Sequence, residues 1–367
     1  MSHILAIRFS ALGDVAMTLP VLCSFARQYP EHEVTLLSKA NIAPLFQEPF
    51  LGEKSEGTSA LQLPPNLHFR GVDLQNYQGF RGLMQLFHEL KKEHYDAVAD
   101  LHDVLRSLIL RTAFSSHNTP TAHIKKSRAM RRAITRKSNK ELAPMEGSPQ
   151  RYADVFGALG FPVKIDFHSI YGNIRPTLPI DMLNTLNLPS QDASEAGLRY
   201  IGIAPFARHE GKIYPQDLME KVVELLSEEA CNRVFLFGFG ESEGQYCRML
   251  EERYPNVKSL VGLFKMNKEL ALMSRLNVML TMDSANMHLA ALVATPTVSV
   301  WGATHPVAGF SGLPAPGSEK VQLRLPCRPC SIFGNRPCYK GTYECMKGIT
   351  PETIVEAIRR VAPVTLI

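Results

Sequence analysis

Seven short apolar runs narrow the fold of this chain more than any other feature: residues 4–9, 33–37, 97–101, 200–204, 233–237, 278–281 and 297–300. Each is β-branched or apolar, with little of the polar alternation that marks a half-exposed strand. Such runs are the signature of strands buried on both faces in a parallel sheet. Helical patterns separate them, at 15–28, 79–93, 215–229, 244–252, 267–275 and 285–292. Strand and helix in alternation predict parallel α/β sheets. The alternation breaks between Tyr171 and Gly197, where Pro176, Pro179 and Pro189 lie among polar residues, and resumes at Tyr200. Two sheets are therefore expected, in a domain over 1–178, a linker over 179–199 and a second domain over 200–348. The remainder, 349–367, holds a last helix with Thr350 as N-cap and Pro351 at its first position. A length of 367 residues suits two domains.

Composition excludes several classes. Hydrophobic residues make up 45% and charged residues 20%, as in ordinary globular proteins. No apolar run nears the roughly 18 residues of a membrane span. The N-terminal stretch has no basic region and is interrupted by Arg8 and Asp14, so a secretory leader is not expected and the cytoplasm is. The net charge of +5 hides an asymmetry. Residues 104–140 contain ten Lys and Arg and no acid, so the rest of the chain carries −5. A block of like charge suits an anionic partner, and the plainer reading is a solvated loop. Only Phe114 is aromatic in that block and no nucleic-acid motif occurs, so nucleic acid is not the expected partner.

Ligands of open parallel sheets bind beyond the carboxyl ends of the strands, so the informative residues follow each run. After the first come Gly13, which permits a tight turn, and Asp14, near a helix start, where a plain N-cap is the simpler reading. After the fourth comes a basic loop with Arg208 and Lys212, a place for a cation facing a diphosphate. After the fifth, Gly238 and Gly240 precede Glu241 and Glu243, either of which could accept from ribose hydroxyls or simply suit a helix dipole. After the sixth, Asp283, Ser284, Ala285 and His288 mark an abrupt strand-to-helix turn, whose free N–H groups suit phosphate.

These stretches, in this order, resemble glycosyltransferase family 9, the heptosyltransferases of lipopolysaccharide synthesis. The similarity is carried by 4–22 (ILAIRFSALGDVAMTLPVL), 96–107 (DAVADLHDVLRS), 203–215 and above all 283–306 (DSANMHLAALVATPTVSVWGATHP). The resemblance implies a GT-B fold, two Rossmann-like domains with the active site between them, and an inverting enzyme needing no metal or other cofactor. It implies that the donor is a nucleotide sugar, ADP-heptose, and that the acceptor is an anionic glycolipid; the alternatives are a related transferase for a different sugar nucleotide in surface-glycan synthesis and a non-catalytic sugar-nucleotide-binding protein. Peripheral contact with the inner face of the inner membrane would follow. It places the general base at Asp14 and the diphosphate-binding cation at Lys212. Ribose falls to Glu241, with Glu243 as rival, and adenine to Met266. Gly13, Arg208, Asp283, Ser284, Ala285 and His288 complete the donor set. The acceptor would meet Arg106 and the basic residues Lys125, Lys126, Arg128 and Arg131.

The chain departs from the family pattern in three places. Ala285 replaces a usual glycine, Phe206 stands in a loop that is usually Pro-Gly-Ala, and Ile213-Tyr214 replace Arg-Trp. These changes bear on which sugar is transferred. Four of the seven cysteines, Cys327, Cys330, Cys338 and Cys345, fall within nineteen residues. Their spacing could hold a structural zinc, and reduced thiols or a disulfide fit it equally. Cys23, Cys231 and Cys247 read as packing residues.

Overall fold

A computed structural model describes residues 1–48, 61–189 and 197–363. The chain forms two compact units. The first holds Met1–Gln47, Leu61–Ser127 and Glu146–Gly172; the second holds Arg128–Met145 and the described residues from Asn173 onward.

The first unit is built on five parallel strands: β1 (His3–Ile7), β2 (Glu33–Lys39), β3 (Leu67–Val72), β4 (Ala97–Asp100) and β5 (Thr121–His123). Their order is β3-β2-β1-β4-β5. The second has six parallel strands: β6 (Arg199–Ala204), β7 (Asn232–Leu236), β8 (Val257–Ser259), β9 (Val278–Met282), β10 (Thr297–Trp301) and β11 (Glu319–Gln322). Their order is β11-β10-β9-β6-β7-β8. Both sheets are doubly wound, with the reversal of winding between β1 and β4 in one and between β6 and β9 in the other. Parallel doubly wound sheets form ligand crevices at that reversal, outside the carboxyl ends of the strands.

The expected strands are the seven interior ones. The four not anticipated are the four sheet edges. Edge strands have one open side and need no continuous apolar run. In β11 the residues read Glu-Lys-Val-Gln, and only Val321 is buried.

Packing follows from the same pattern. Leu5, Ile7, Val98, Leu86, Phe87 and Phe114 share the first core. In the second, Ile201, Leu280 and Val300 of three neighbouring strands meet Ile354 and Ile358 of the C-terminal helix. That helix, Pro351–Val361, starts as expected: the Thr350 hydroxyl accepts from the Thr353 N–H at 3.3 Å. Arg199, buried at the start of β6, donates to the carbonyl of Ala362 and to Asn232, fastening the helix end to the sheet.

Three local expectations are corrected. The pattern over 15–28 is two helices, Leu12–Ala16 and Leu19–Gln28, because the Thr18 hydroxyl donates to the Val15 carbonyl and Pro20 opens a new helix. The linker expected over 179–199 contains a helix, Ile180–Thr185; its residues 190–196 lie outside the described residues, as do 364–367 of the last segment. The basic stretch leaves the first unit at residue 128. Ile134 and Met145 bury against Ala308, and Met145 N–H donates to Val307 O at 2.8 Å, so apolar burial inside a cationic segment fastens it to the second unit. Among the described residues no helix is long and apolar enough to cross a membrane.

Candidate active site

In the first unit the reversal between β1 and β4 gathers charge. Arg8, just beyond β1, is 8% exposed. One guanidinium nitrogen donates to the Leu101 carbonyl at 2.6 Å and another lies 2.6 Å from Asp14 Oδ2. The guanidinium also sits 5.6 Å from the centre of the Tyr152 ring. Asp14 is the third residue of its short helix rather than the N-cap. Its carboxylate reaches back to the Ala11 N–H at 3.4 Å, as the acid of a capping box does. The side chain remains a third exposed, so it is both anchored and reachable.

Beside this pair, β4 ends in Asp100, which is fully buried. It accepts from the His102 and Asp103 N–H groups at 3.0 and 2.8 Å and from Arg111 at 3.1 Å. Burial, then the charges of Arg8 and Lys126, push the His102 imidazole down to about 4. It is therefore neutral near pH 7, with Nδ1 accepting from the Phe9 N–H and Nε2 3.4 Å from the Ser10 hydroxyl. The sequence assigns no role to Arg8, Asp100 or His102, although all three lie in the stretches that carry the family resemblance. The available signal is place: Asp100 is the last residue of β4, and Arg8 and His102 lie one and two residues past a strand end. Arg151, 6% exposed, donates to the Ser148 hydroxyl, and burial lowers its pKa against the opposing charge of Asp14.

The second unit offers a different arrangement at the reversal between β6 and β9. Lys212 ends a single 3-10 turn, Glu210–Lys212, and its Nζ lies 3.0 Å from Asp283 Oδ2. The two side chains are 17% and 6% exposed. Asp283 directly follows β9, and Ser284 is the N-cap of the helix Ala285–Leu292. The Ser284 side chain makes no capping bond and lies 3.2 Å from the Thr281 hydroxyl instead. The first-turn N–H groups of Ala285, Asn286 and Met287 thus lack that cap, beside an ammonium group, at the positive end of a helix dipole. This is the chemistry of an anion seat. His288 lies one turn into the helix and is half-buried.

Around this seat, Glu243 accepts from the Phe239 N–H at 2.8 Å and so closes its own loop. Glu241 is exposed and pairs with Arg248 at 2.6 Å. Arg208 is exposed, and Met266 is the half-buried first residue of the helix Met266–Met273. One turn further on, burial alone holds the Glu269 carboxyl up at about 7. No sequence signal singled this residue out.

The basic segment does not behave as one free arm. Lys126 lies 3.7 Å from Asp103, Arg131 stacks on Phe310 and Phe333, and Lys140 donates to the Cys327 and Pro329 carbonyls. Arg106, Lys125 and Arg128 are exposed. The four loop cysteines line one small cleft with Arg328 and are free thiols. Among the described residues no group of three or more His, Cys, Asp or Glu side chains is arranged to hold a metal ion. Cys23 and Cys247 are packed in the cores, as expected.

The model of the family described as glycosyltransferase family 9 (heptosyltransferase) matches residues 83–332. The chain is 27% identical over 305 residues to lipopolysaccharide heptosyltransferase 3 of Escherichia coli strain K12, covering 80% of each. Among solved structures, a family 9 glycosyl transferase from Veillonella parvula aligns with a TM-score of 0.68 at 15% identity, covering 98% of this chain and 97% of that one. ADP-heptose lipopolysaccharide heptosyltransferase II of E. coli aligns with a TM-score of 0.63 at 16% identity, covering 98% of both. At such identities the likeness shows a shared two-sheet fold.

Proposed function

The chain belongs to glycosyltransferase family 9, the heptosyltransferase family, and from that premise we propose that it moves a heptose from ADP-heptose to a hydroxyl of the lipopolysaccharide inner core, inverting the anomeric centre and using no metal. The observation that carries this reading is the Lys212–Asp283 pair set beside a helix end left open by Ser284.

The acceptor hydroxyl attacks the anomeric carbon in a single displacement. Asp14 orients that hydroxyl and takes its proton late, as the bond from sugar to phosphate breaks. ADP departs with growing negative charge. Lys212 and the N–H groups at the start of the helix stabilise it, which is the work a divalent ion does in other transferases. Asp283 holds the ammonium in place before the diphosphate arrives. Glu241 remains free of its own loop to accept from ribose, while Glu243 is engaged there. Met266 meets the adenine, with Arg208 and His288 at the phosphate rim. Gly13 keeps the backbone low beside the reacting sugar.

Arg106, Lys125 and Arg128 are left to meet the anionic groups of a glycolipid acceptor, whereas Lys126 and Arg131 hold the loops that carry them. A lipid acceptor places the enzyme in the cytoplasm, in peripheral contact with the inner membrane face. Ala285 and Phe206 set the fit of the sugar, which a panel of nucleotide sugars reads directly. The decisive measurement is the Lys212→Ala variant, with ADP binding by calorimetry and turnover of ADP-heptose. We expect weaker ADP binding and a loss in kcat/KM on the order of 10²–10³-fold, as for removal of one preorganised charge-stabilising donor. Wild-type ADP affinity in that variant would remove the reading.

A further inference from the structure

The loop between Cys327 and Cys345 contains two glycines with the same φ and different surroundings. Gly334 and Gly341 both have φ near +72°. A Cβ on Gly341 would meet nothing within 4 Å. A Cβ on Gly334 would lie 2.4 Å from Cγ and 2.7 Å from Cδ of Lys212. The stem of that lysine therefore rests on bare backbone.

The contact belongs to a wider set of ties. The Ala303 N–H donates to the Gly211 carbonyl at 2.8 Å, and the Cys330 N–H donates to the Ala303 carbonyl at 3.0 Å. Arg328, 3% exposed, donates to the carbonyls of Gly302 and Thr304. The Tyr343 hydroxyl donates to Glu210 at 2.9 Å. The turn bearing Lys212, the segment after β10 and the cysteine loop are thus one stitched layer. A lysine has four rotatable bonds in its side chain, and an ammonium aimed at one point needs its stem walled in.

We propose that Gly334 is a positioning residue for Lys212: the absence of a side chain there seats the lysine stem so that its ammonium points to Asp283 and to the donor diphosphate. This rests on the reading of Lys212 as the diphosphate cation. The plainer role, a glycine kept only for its left-handed backbone, applies equally to Gly341 and makes it a matched control.

The experiment compares Gly334→Ala, Gly341→Ala, Lys212→Ala and the Gly334→Ala/Lys212→Ala double variant, reading ADP affinity by calorimetry, donor KM against kcat, and Tm. Gly334→Ala should weaken ADP binding on the order of tenfold and raise the donor KM. Gly341→Ala should lower Tm comparably and leave ADP affinity unchanged. Adding Gly334→Ala to Lys212→Ala should change ADP affinity no further, since the stem is already gone. If Gly334→Ala does not fold, Gly334→Asn tolerates the left-handed backbone and still carries the Cβ. Equal ADP affinities in the two glycine variants, with Lys212→Ala still impaired, would overturn the inference alone. Unimpaired binding by Lys212→Ala would instead overturn the functional reading on which it stands.

Discussion

The two sheets reverse their winding in the same way and use the place differently. Beyond β1 and β4, the charges are largely committed to one another: Arg8 to Asp14, Arg111 to Asp100 and Asp103, Lys126 to Asp103. Beyond β6 and β9, Lys212 pairs with Asp283 next to a helix end that Ser284 leaves uncapped. The first arrangement fixes a carboxylate in a stated place. The second leaves the first-turn N–H groups of its helix without a side-chain cap. One topology thus supports an anchored carboxylate in the first unit and an uncapped helix end in the second, because strand ends bring residues together without dictating whether their polar groups are already satisfied.

The comparison can be broken most sharply at Asp14. Asp14→Asn should lower kcat by about 10²–10⁴-fold, the usual worth of a positioned base, while ADP affinity stays at the wild-type value. A parallel loss of ADP affinity would mean that the first unit also serves the donor. Next in size is Asp100→Ala. It removes the acceptor of two N–H groups and the nearer partner of Arg111, whose side chain is 12% exposed and keeps the more distant Asp103 at 3.6 Å. Chemical denaturation should show a loss on the order of 3–5 kcal/mol, as when one partner of a buried pair is deleted. Ser284 makes no capping bond, so Ser284→Ala should be close to neutral for stability.

Smaller effects come from pH. Glu269 has its carboxyl raised to about 7, so the fold disfavours its charged form. The stability linked to it is whole below its ordinary value of 4.5 and is lost as pH rises through 7. Glu269→Gln should raise the Tm at pH 8, by an amount equivalent to about 1–3 kcal/mol, and leave it unchanged at pH 4. His102 runs the other way. Its pKa is lowered from 6.5 to about 4, so its share of stability is present above 6.5 and lost as pH falls toward 4. His102→Gln should flatten the acid side of the stability profile. The smallest change is expected at the Arg248–Glu241 pair, which is 47% and 74% exposed. Arg248→Ala should shift unfolding by less than about 0.5 kcal/mol, and a larger shift would show that the exposed rim of the seat is not free for a ligand.

Much of this is legible in the amino-acid sequence. The residues that form β1, β9 and the helix Ala285–Leu292 announce themselves, because a strand buried on both faces must be apolar throughout and a helix start needs few signals. Asp14, Lys212, Asp283 and His288 stand out as candidates because they follow β1, β6 and β9. Asp14 was expected at an N-cap and is instead the third residue of its helix, since both places reward an acid and spacing alone does not separate them. The basic segment was legible as charge and not as structure. Arg131 stacks on rings nearly two hundred residues away in sequence, and Lys140 on carbonyls equally distant.

The sequence by itself determined the interior strands of each sheet and the family, because burial on two faces and the strand-end position both leave a local mark on residue type; the strand order, and with it the place where the winding reverses, came from the tertiary structure. Only the tertiary structure decided the edges β3, β5, β8 and β11, the attachment of residues 128–145 to the second unit, and the pairing of each charge. An edge strand, a buried ion pair and a glycine under a lysine stem are all set by a neighbour distant in the chain. Such a partner constrains the residue through space while leaving no periodicity along the sequence to read.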